Sequence, residues 1–226
     1  MILAATLLCD RKACNQLVAV PTMAAIDGDV QLYVNIETLD PSGWRTTYAP
    51  LLAFLRDCPV PNFLDVWSPL QTWREHPTSD EGGNRLAPIV MGRNMAIDCA
   101  LTKGASHLLF VDADVVVKPD GLGRLLAHKL PLCGGYVPGR GNHPHIFYCS
   151  AEHTDLGSHI LADYGTCGYM LIERRVFSLL RFRWGGLRRD PDYWQSEDPA
   201  YCRDARDMGF GHFLIDKTVT AEHRAS

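Results

Sequence analysis

From Ile2 to Leu130, short apolar runs alternate with stretches in which apolar residues recur every three or four positions. The continuous run Ile2 to Leu8 reads as a buried strand, and Lys12 to Ala25 then takes helical spacing with Leu17, Val20 and Ala24 as core positions. Asp29 to Glu37 (DVQLYVNIE) forms a second strand, closed by the turn-forming LDPSG. Tyr48, Leu51, Leu52 and Leu55 repeat at helical spacing until the prolines of RDCPVPN end the helix. Phe63 to Trp67 is a third strand, and the polar segment Gln71 to Asn84 is a loop. Gly92 to Lys103 predicts a helix with Met95, Cys99, Leu101 and Thr102 near its inner face, stopped by Gly104. Leu108 to Val111 is the central strand, and Pro119 opens a helix whose Leu122, Leu125, Leu126 and Leu130 turn inward. Strand and helix in alternation predict an α/β fold with a mainly parallel sheet. The second half is less regular, with shorter strands expected at Cys133 to Arg140, His145 to Ser150 and Gly168 to Glu173. No internal repeat interrupts this order.

Composition narrows the class. The 226 residues are 46% hydrophobic and 21% charged, which suits one compact domain with a substantial core. The net charge is only -4 and no run of Lys or Arg occurs, which argues against a sequence-independent grip on duplex DNA. The eight cysteines include no CxxC pair and several fall within helix or strand patterns, as expected of reduced thiols in a cytoplasmic protein. MILAATLLC has no basic residue ahead of its apolar run, so it reads as a first strand rather than a leader. No apolar run approaches the roughly 20 residues that span a bilayer.

Candidate chemistry begins where the most apolar strand ends. LLFVDADVVVKPDG places Asp112 and Asp114 at that edge, where charge is costly unless something positive meets it. Ligands of a parallel sheet bind outside the carboxyl ends of its strands. Residues two apart on extended backbone point the same way, so both carboxylates can reach one Mn²⁺ or Mg²⁺ carrying a phosphate. The alternative is that the pair merely caps the loop before Pro119, since so short a motif also matches by accident. FVDADVV also matches the first motif of haloacid-dehalogenase-like phosphatases, but that motif opens its domain, whereas two strands precede it here.

Three segments in order, MGRNMAIDCALTKGASHLLFVDAD, GTCGYMLIERRVF and SEDPAYCRDARDMGF, resemble GT-A glycosyltransferases related to the large group of inverting nucleotide-sugar transferases. The resemblance runs from the first strand to the terminal TAEHRAS. It implies one GT-A domain over residues 1–226, with 1–114 holding a nucleotide sugar of UDP or GDP type and 115–226 holding the acceptor. It implies a metal-dependent sugar transfer to an acceptor hydroxyl, in which the ED pair favours inversion while a late histidine also occurs in retaining enzymes. Alternatives are a sugar-phosphate nucleotidyltransferase, although LLCDRKACN lacks a Gly-rich loop, and a non-catalytic nucleotide-sugar-binding protein.

Carried over position by position, the resemblance makes Asp114 the direct metal ligand, Asp112 a ligand of the metal or the donor ribose, and His223 of EHR the late metal ligand. An imidazole beside carboxylate and diphosphate oxygens suits Mn²⁺. Arg93 and Asn94, read as the opening of a helix, would lie against the nucleotide, where a helix N-terminus favours a diphosphate. Thr6 and Asp10 correspond to the stretch that cradles the base, and Glu37 to an acidic contact with base or ribose. Asp198 of the ED pair corresponds to the base that deprotonates the acceptor, with Glu197 second. The same residues also read as the capped start of a helix, with Pro199 in its first turn, Tyr201, Cys202, Ala205 and Met208 inward, and Gly209 ending it. Trp194 and Tyr193 are candidates for stacking on the acceptor. His143 and His145 flank Pro144 without a third ligand nearby in sequence, and read as loop and strand-edge residues.

Overall fold

A computed structural model describes residues 1–9, 18–38, 40–68, 83–138, 154–183 and 197–224. In chain order the elements are β1 (Ile2–Cys9), α1 (Ala19–Ala24), β2 (Val30–Glu37), α2 (Trp44–Thr47), α3 (Ala49–Asp57), β3 (Asn62–Trp67), α4 (Gly83–Thr102), β4 (His107–Val111), β5 (Val115–Val116) and α5 (Gly121–Ala127). There follow β6 (Leu132–Tyr136), β7 (Thr154–Asp155), β8 (His159–Ala162), β9 (Tyr169–Glu173), α6 (Arg174–Phe177), α7 (Glu197–Asp207), β10 (Phe213–Thr220) and β11 (Glu222–His223).

Nine strands form one sheet in the order β3-β2-β1-β4-β9-β6-β10-β8-β7, in which β8 and β9 run against the others. Two hydrophobic clusters cover its two faces. Ile2, Ala4 and Leu8 of β1 pack with α1, α3 and α5 on one side, while Leu3 and Ala5 pack with α4, α6 and α7 on the other. A strand buried on both faces must be apolar at every position, which is why β1 and β4 read as unbroken runs rather than alternating ones. The layers approach closely at β6, where a Cβ on Gly135 would lie 2.4 Å from Tyr169 Cδ1 and 2.6 Å from the Val219 carbonyl.

Several expectations are corrected. The long helix starts at Gly83, inside the segment read as a loop, and continues through Pro88. Pro and Gly signalled a break there, but the apolar face that follows extends the helix across it. That face is Gly92, Ala96, Ile97 and Ala100, while Met95, Cys99 and Leu101 are half-buried and Thr102 is exposed. The inner stripe is one position away from the one read, because alanines and a glycine carry too little hydrophobicity to mark it. Leu130 lies beyond the end of α5 and Met208 beyond the end of α7, and both are exposed. Just after Met208, Gly209 adopts φ 87, the left-handed turn that ends the helix. The strands β8 and β10 went unread. Residues 10–17, the expected strand at His145 to Ser150, His143, and the acceptor candidates Tyr193 and Trp194 lie outside the described residues, as does Asp10.

Candidate functional site

The chain enters the sheet at β1, turns outward to β2 and β3, then returns to lay β4 on the other side of β1. Strand order therefore reverses between β1 and β4, the place where an open α/β sheet forms a ligand crevice beyond its carboxyl ends. Asp112 and Asp114 follow β4 directly at that crevice. The Asp112 backbone N–H donates to the Gly168 carbonyl at 3.2 Å, and the Val115 N–H to the Asp112 carbonyl at 3.0 Å, which fixes the short turn.

The C-terminal segment then closes over this turn. β11 pairs antiparallel with β5, His223 opposite Val115, and the Arg224 N–H donates to the Asp114 carbonyl at 2.9 Å. His223 Nε2 consequently stands 3.3 Å from Asp114 Oδ2, while its Nδ1 faces the Pro138 carbonyl at 3.1 Å. A carbonyl accepts only, so Nδ1 carries the proton and Nε2 of a neutral ring presents a lone pair to a carboxylate. Two acceptors facing each other call for a positive charge between them, either a second ring proton or a metal cation.

A second group of charges lies behind Asp112. Arg93 on α4 is 5% exposed, and its Nη1 meets Glu197 Oε1 at 2.5 Å and also contacts Asp198 Oδ1. Its Nη2 is 3.7 Å from Asp112 Oδ1. The guanidinium lies 5.3 Å from the centre of the Phe182 ring, which in turn stacks on Tyr201 at 4.2 Å. The other Asp198 oxygen accepts from the Cys167 N–H at 3.2 Å. Glu197 Oε2 is buried with no hydrogen-bond partner among the described residues.

Three carboxylates thus face one arginine. Desolvation at the strand end, then Asp114 and Glu197, push the Asp112 carboxyl above its ordinary value against the pull of Arg93 and His223, an upward push tempered by the 48% of its side chain that is open to solvent. Glu197 is raised by burial and then by Asp198, with Arg93 opposing. The cluster carries more negative than positive charge and is suited to a divalent cation. Asp114 and His223, both with largely enclosed side chains, offer an oxygen and a nitrogen ligand, the more open Asp112 follows the same strand end, and the chemistry of these donors fits a borderline ion such as Mn²⁺.

The remaining expected residues are distributed unevenly. Arg93 and Asn94 sit well inside α4 rather than at its start, so the argument from a helix N-terminus does not apply to them. Asn94 bonds reciprocally to Phe182, donating to its carbonyl and accepting from its N–H, both at 2.9 Å. Thr6 is fully buried on β1, and its hydroxyl has no partner among the described residues. Glu37 ends β2, half-buried and in register with Cys9 and Trp67. Sequence reasoning missed the Cys167 and Gly168 backbone groups, whose only signal was the Gly-rich GTCG before β9. It also missed Asn35, buried within β2, which accepts from Trp67 Nε1 at 2.7 Å and donates to Tyr33 Oη at 3.2 Å. An amide inside an otherwise apolar strand was the available sign.

No protein-family model and no curated protein matches the sequence. Solved structures do. A mannosyltransferase from Pyrobaculum calidifontis in complex with GDP-Man and Mn²⁺ superposes on 97% of the chain with TM-score 0.60 and 9% identity. The chain has the GT-A fold. TarS from S. aureus in complex with UDP-GlcNAc aligns with all of the chain at TM-score 0.59 and 12% identity. The chain spans 56% of the mannosyltransferase and 60% of that TarS chain. Within the GT-A fold the crevice described above lies at the switch between β1 and β4. No helix among the described residues is long and apolar enough to cross a membrane, and Cys58, Cys99, Cys133, Cys167 and Cys202 are free thiols.

Proposed function

We propose that the chain transfers a sugar from a nucleotide-diphosphate sugar of UDP or GDP type to an acceptor hydroxyl, with inversion and with the help of Mn²⁺ or Mg²⁺. The observation that carries this reading is the return of His223, more than 100 residues along the chain, to face Asp114 across the end of β4. The Pro138 carbonyl and the pairing of β11 with β5 hold the imidazole with its Nε2 toward the Asp114 carboxylate, the orientation a metal-ligating histidine needs. The solved mannosyltransferase with GDP-Man and Mn²⁺ supports the choice of ligand class.

On this reading Asp114 and His223 hold the cation, with Asp112 beside it, and residues 1–114 receive the nucleotide while 115–226 present the acceptor. When bound, the cation would neutralise the departing diphosphate. Asp198 accepts the acceptor hydroxyl proton as that oxygen attacks the anomeric carbon and the bond to diphosphate breaks. Its carboxylate is aimed by Arg93 and the Cys167 N–H, which use two of about four acceptor positions and leave room for the proton. Glu197 shares the Arg93 contact and sets the local charge. Thr6, Asp10, Glu37, Arg93 and Asn94 would frame the nucleotide half, by contact or by support, and Tyr193 and Trp194 the acceptor.

Titration of UDP and GDP with and without Mn²⁺ tests this site. Binding of one of them is expected to need Mn²⁺, and His223→Ala is expected to weaken it at least about tenfold, on the scale of losing a group that orients or ligates a metal. Unchanged Mn²⁺-dependent affinity in His223→Ala would remove His223 from the ligand set.

A further inference from the structure

A second cluster of metal-ligating side chains lies away from the crevice, with β9 and β6 between β4 and the strands that carry it. Asp216 of β10 is buried, opposite His159 of β8 in the antiparallel register. His128 reaches it from the C-cap of α5. His128 Nε2 is 2.9 Å from Asp216 Oδ2, and His159 Nε2 is 3.9 Å from the same oxygen. The two imidazoles meet edge to face, 5.0 Å between centres at 87°. All three donor atoms lie within 4.8 Å of one another, the sole such group of three among the described residues.

Two further features aim these donors. The other Asp216 oxygen is taken by the Thr218 N–H at 2.8 Å and its hydroxyl at 2.5 Å, which leaves Oδ2 for the histidines. The pairing of β10 with β6 breaks immediately after Asp216, a bulge of the kind that redirects a side chain. His159 Nδ1 faces Ser158 Oγ at 2.8 Å, the outer contact that fixes a ligating ring. An ordinary His–Asp hydrogen bond accounts for His128, and the antiparallel register brings His159 beside the same carboxylate, so that two ring nitrogens and one oxygen converge. Zinc bonds of about 2.0–2.1 Å at tetrahedral angles hold donors about 3.4 Å apart, between the two separations seen here. The histidines are partly exposed, so an ion has a path in and a solvent-facing position left over.

We propose that His128, His159 and Asp216 bind one Zn²⁺, which ties the end of α5 to β8 and β10. The site does not depend on the sugar-transfer reading and is separable from the crevice. Zn²⁺ alone is the probe, titrated into the full chain carrying Asp114→Ala and His223→Ala so that the crevice contributes nothing. One equivalent is expected to remain bound in that background and to raise the melting temperature. Adding His159→Gln, or separately His128→Gln, should weaken it at least about 100-fold, a loss no smaller than that for an outer-contact residue. Co²⁺ should give visible bands of a low-coordinate nitrogen and oxygen site that vanish with the same substitutions, in proteins whose circular dichroism matches the parent. No bound equivalent in the background, or an equivalent that survives both histidine substitutions, would overturn the proposal.

Discussion

Asp198→Asn is expected to lower kcat for sugar transfer by about 10²–10⁴-fold, the usual scale for a lost general base, while Mn²⁺-dependent affinity for the nucleoside diphosphate stays unchanged. The substitution keeps the shape but only one accepting oxygen, enough for Arg93 or for the Cys167 N–H, while the amide NH2 turns a donor on the other, so circular dichroism against the parent accompanies the kinetics. What disappears is the group that takes the acceptor proton. Steady-state kinetics with donor binding measured separately distinguish this from damage to the donor site. A matching loss in Glu197→Gln with normal turnover in Asp198→Asn would exchange the two roles, for which Glu197 Oε2, without a hydrogen-bond partner among the described residues, provides a starting point.

Arg93→Met should destabilise the fold by about 3–5 kcal/mol, because removing one side of a buried ion pair leaves the other uncompensated. Here Glu197 and Asp198 are both left behind, with Asp112 close by. The pH dependence has a definite sign. Burial and Asp198 already raise the Glu197 carboxyl above its ordinary value, so the folded protein holds that proton more tightly than the unfolded chain. A raised carboxyl contributes stability below its unfolded pKa and loses it as pH rises through the folded one. Without Arg93 the rise is larger, so the deficit of Arg93→Met against the parent should shrink on going from neutral to mildly acidic pH. Urea denaturation at the two pH values measures it. A deficit that grows on acidification would contradict the buried-charge account.

The parallel half of the fold was legible because β1, β2 and β4 are mostly apolar and buried, the edge strand β3 keeps Phe63, Leu64, Val66 and Trp67, and the turns carry Gly, Pro and Asp. β1, β2, β3 and β4 fall within one residue of the runs Ile2 to Leu8, Asp29 to Glu37, Phe63 to Trp67 and Leu108 to Val111. The start of α4 was not, since Pro88 imitates a boundary that tertiary packing overrides. Nor was β10, whose Asp216, Lys217 and Thr218 look like a loop because the bulge and the second histidine-lined cluster are built there. In the crevice, residue types announced Asp112, Asp114, Glu197 and Asp198, but no spacing rule places Arg93 between carboxylates over 100 residues away. Long-range charge pairing is set by the sheet, which brings α4 and α7 to the same face. The resemblance that suggested a nucleotide contact for Arg93 had no access to that geometry.

The most direct measurement is a screen of nucleotide sugars for slow Mn²⁺-dependent hydrolysis without acceptor, run beside Asp114→Ala. Release of a single nucleoside diphosphate from one donor, abolished by removing Mn²⁺ and by the substitution, is the predicted result. No turnover, together with no Mn²⁺-dependent binding of any nucleotide sugar, would contradict a donor site at the β1/β4 crevice.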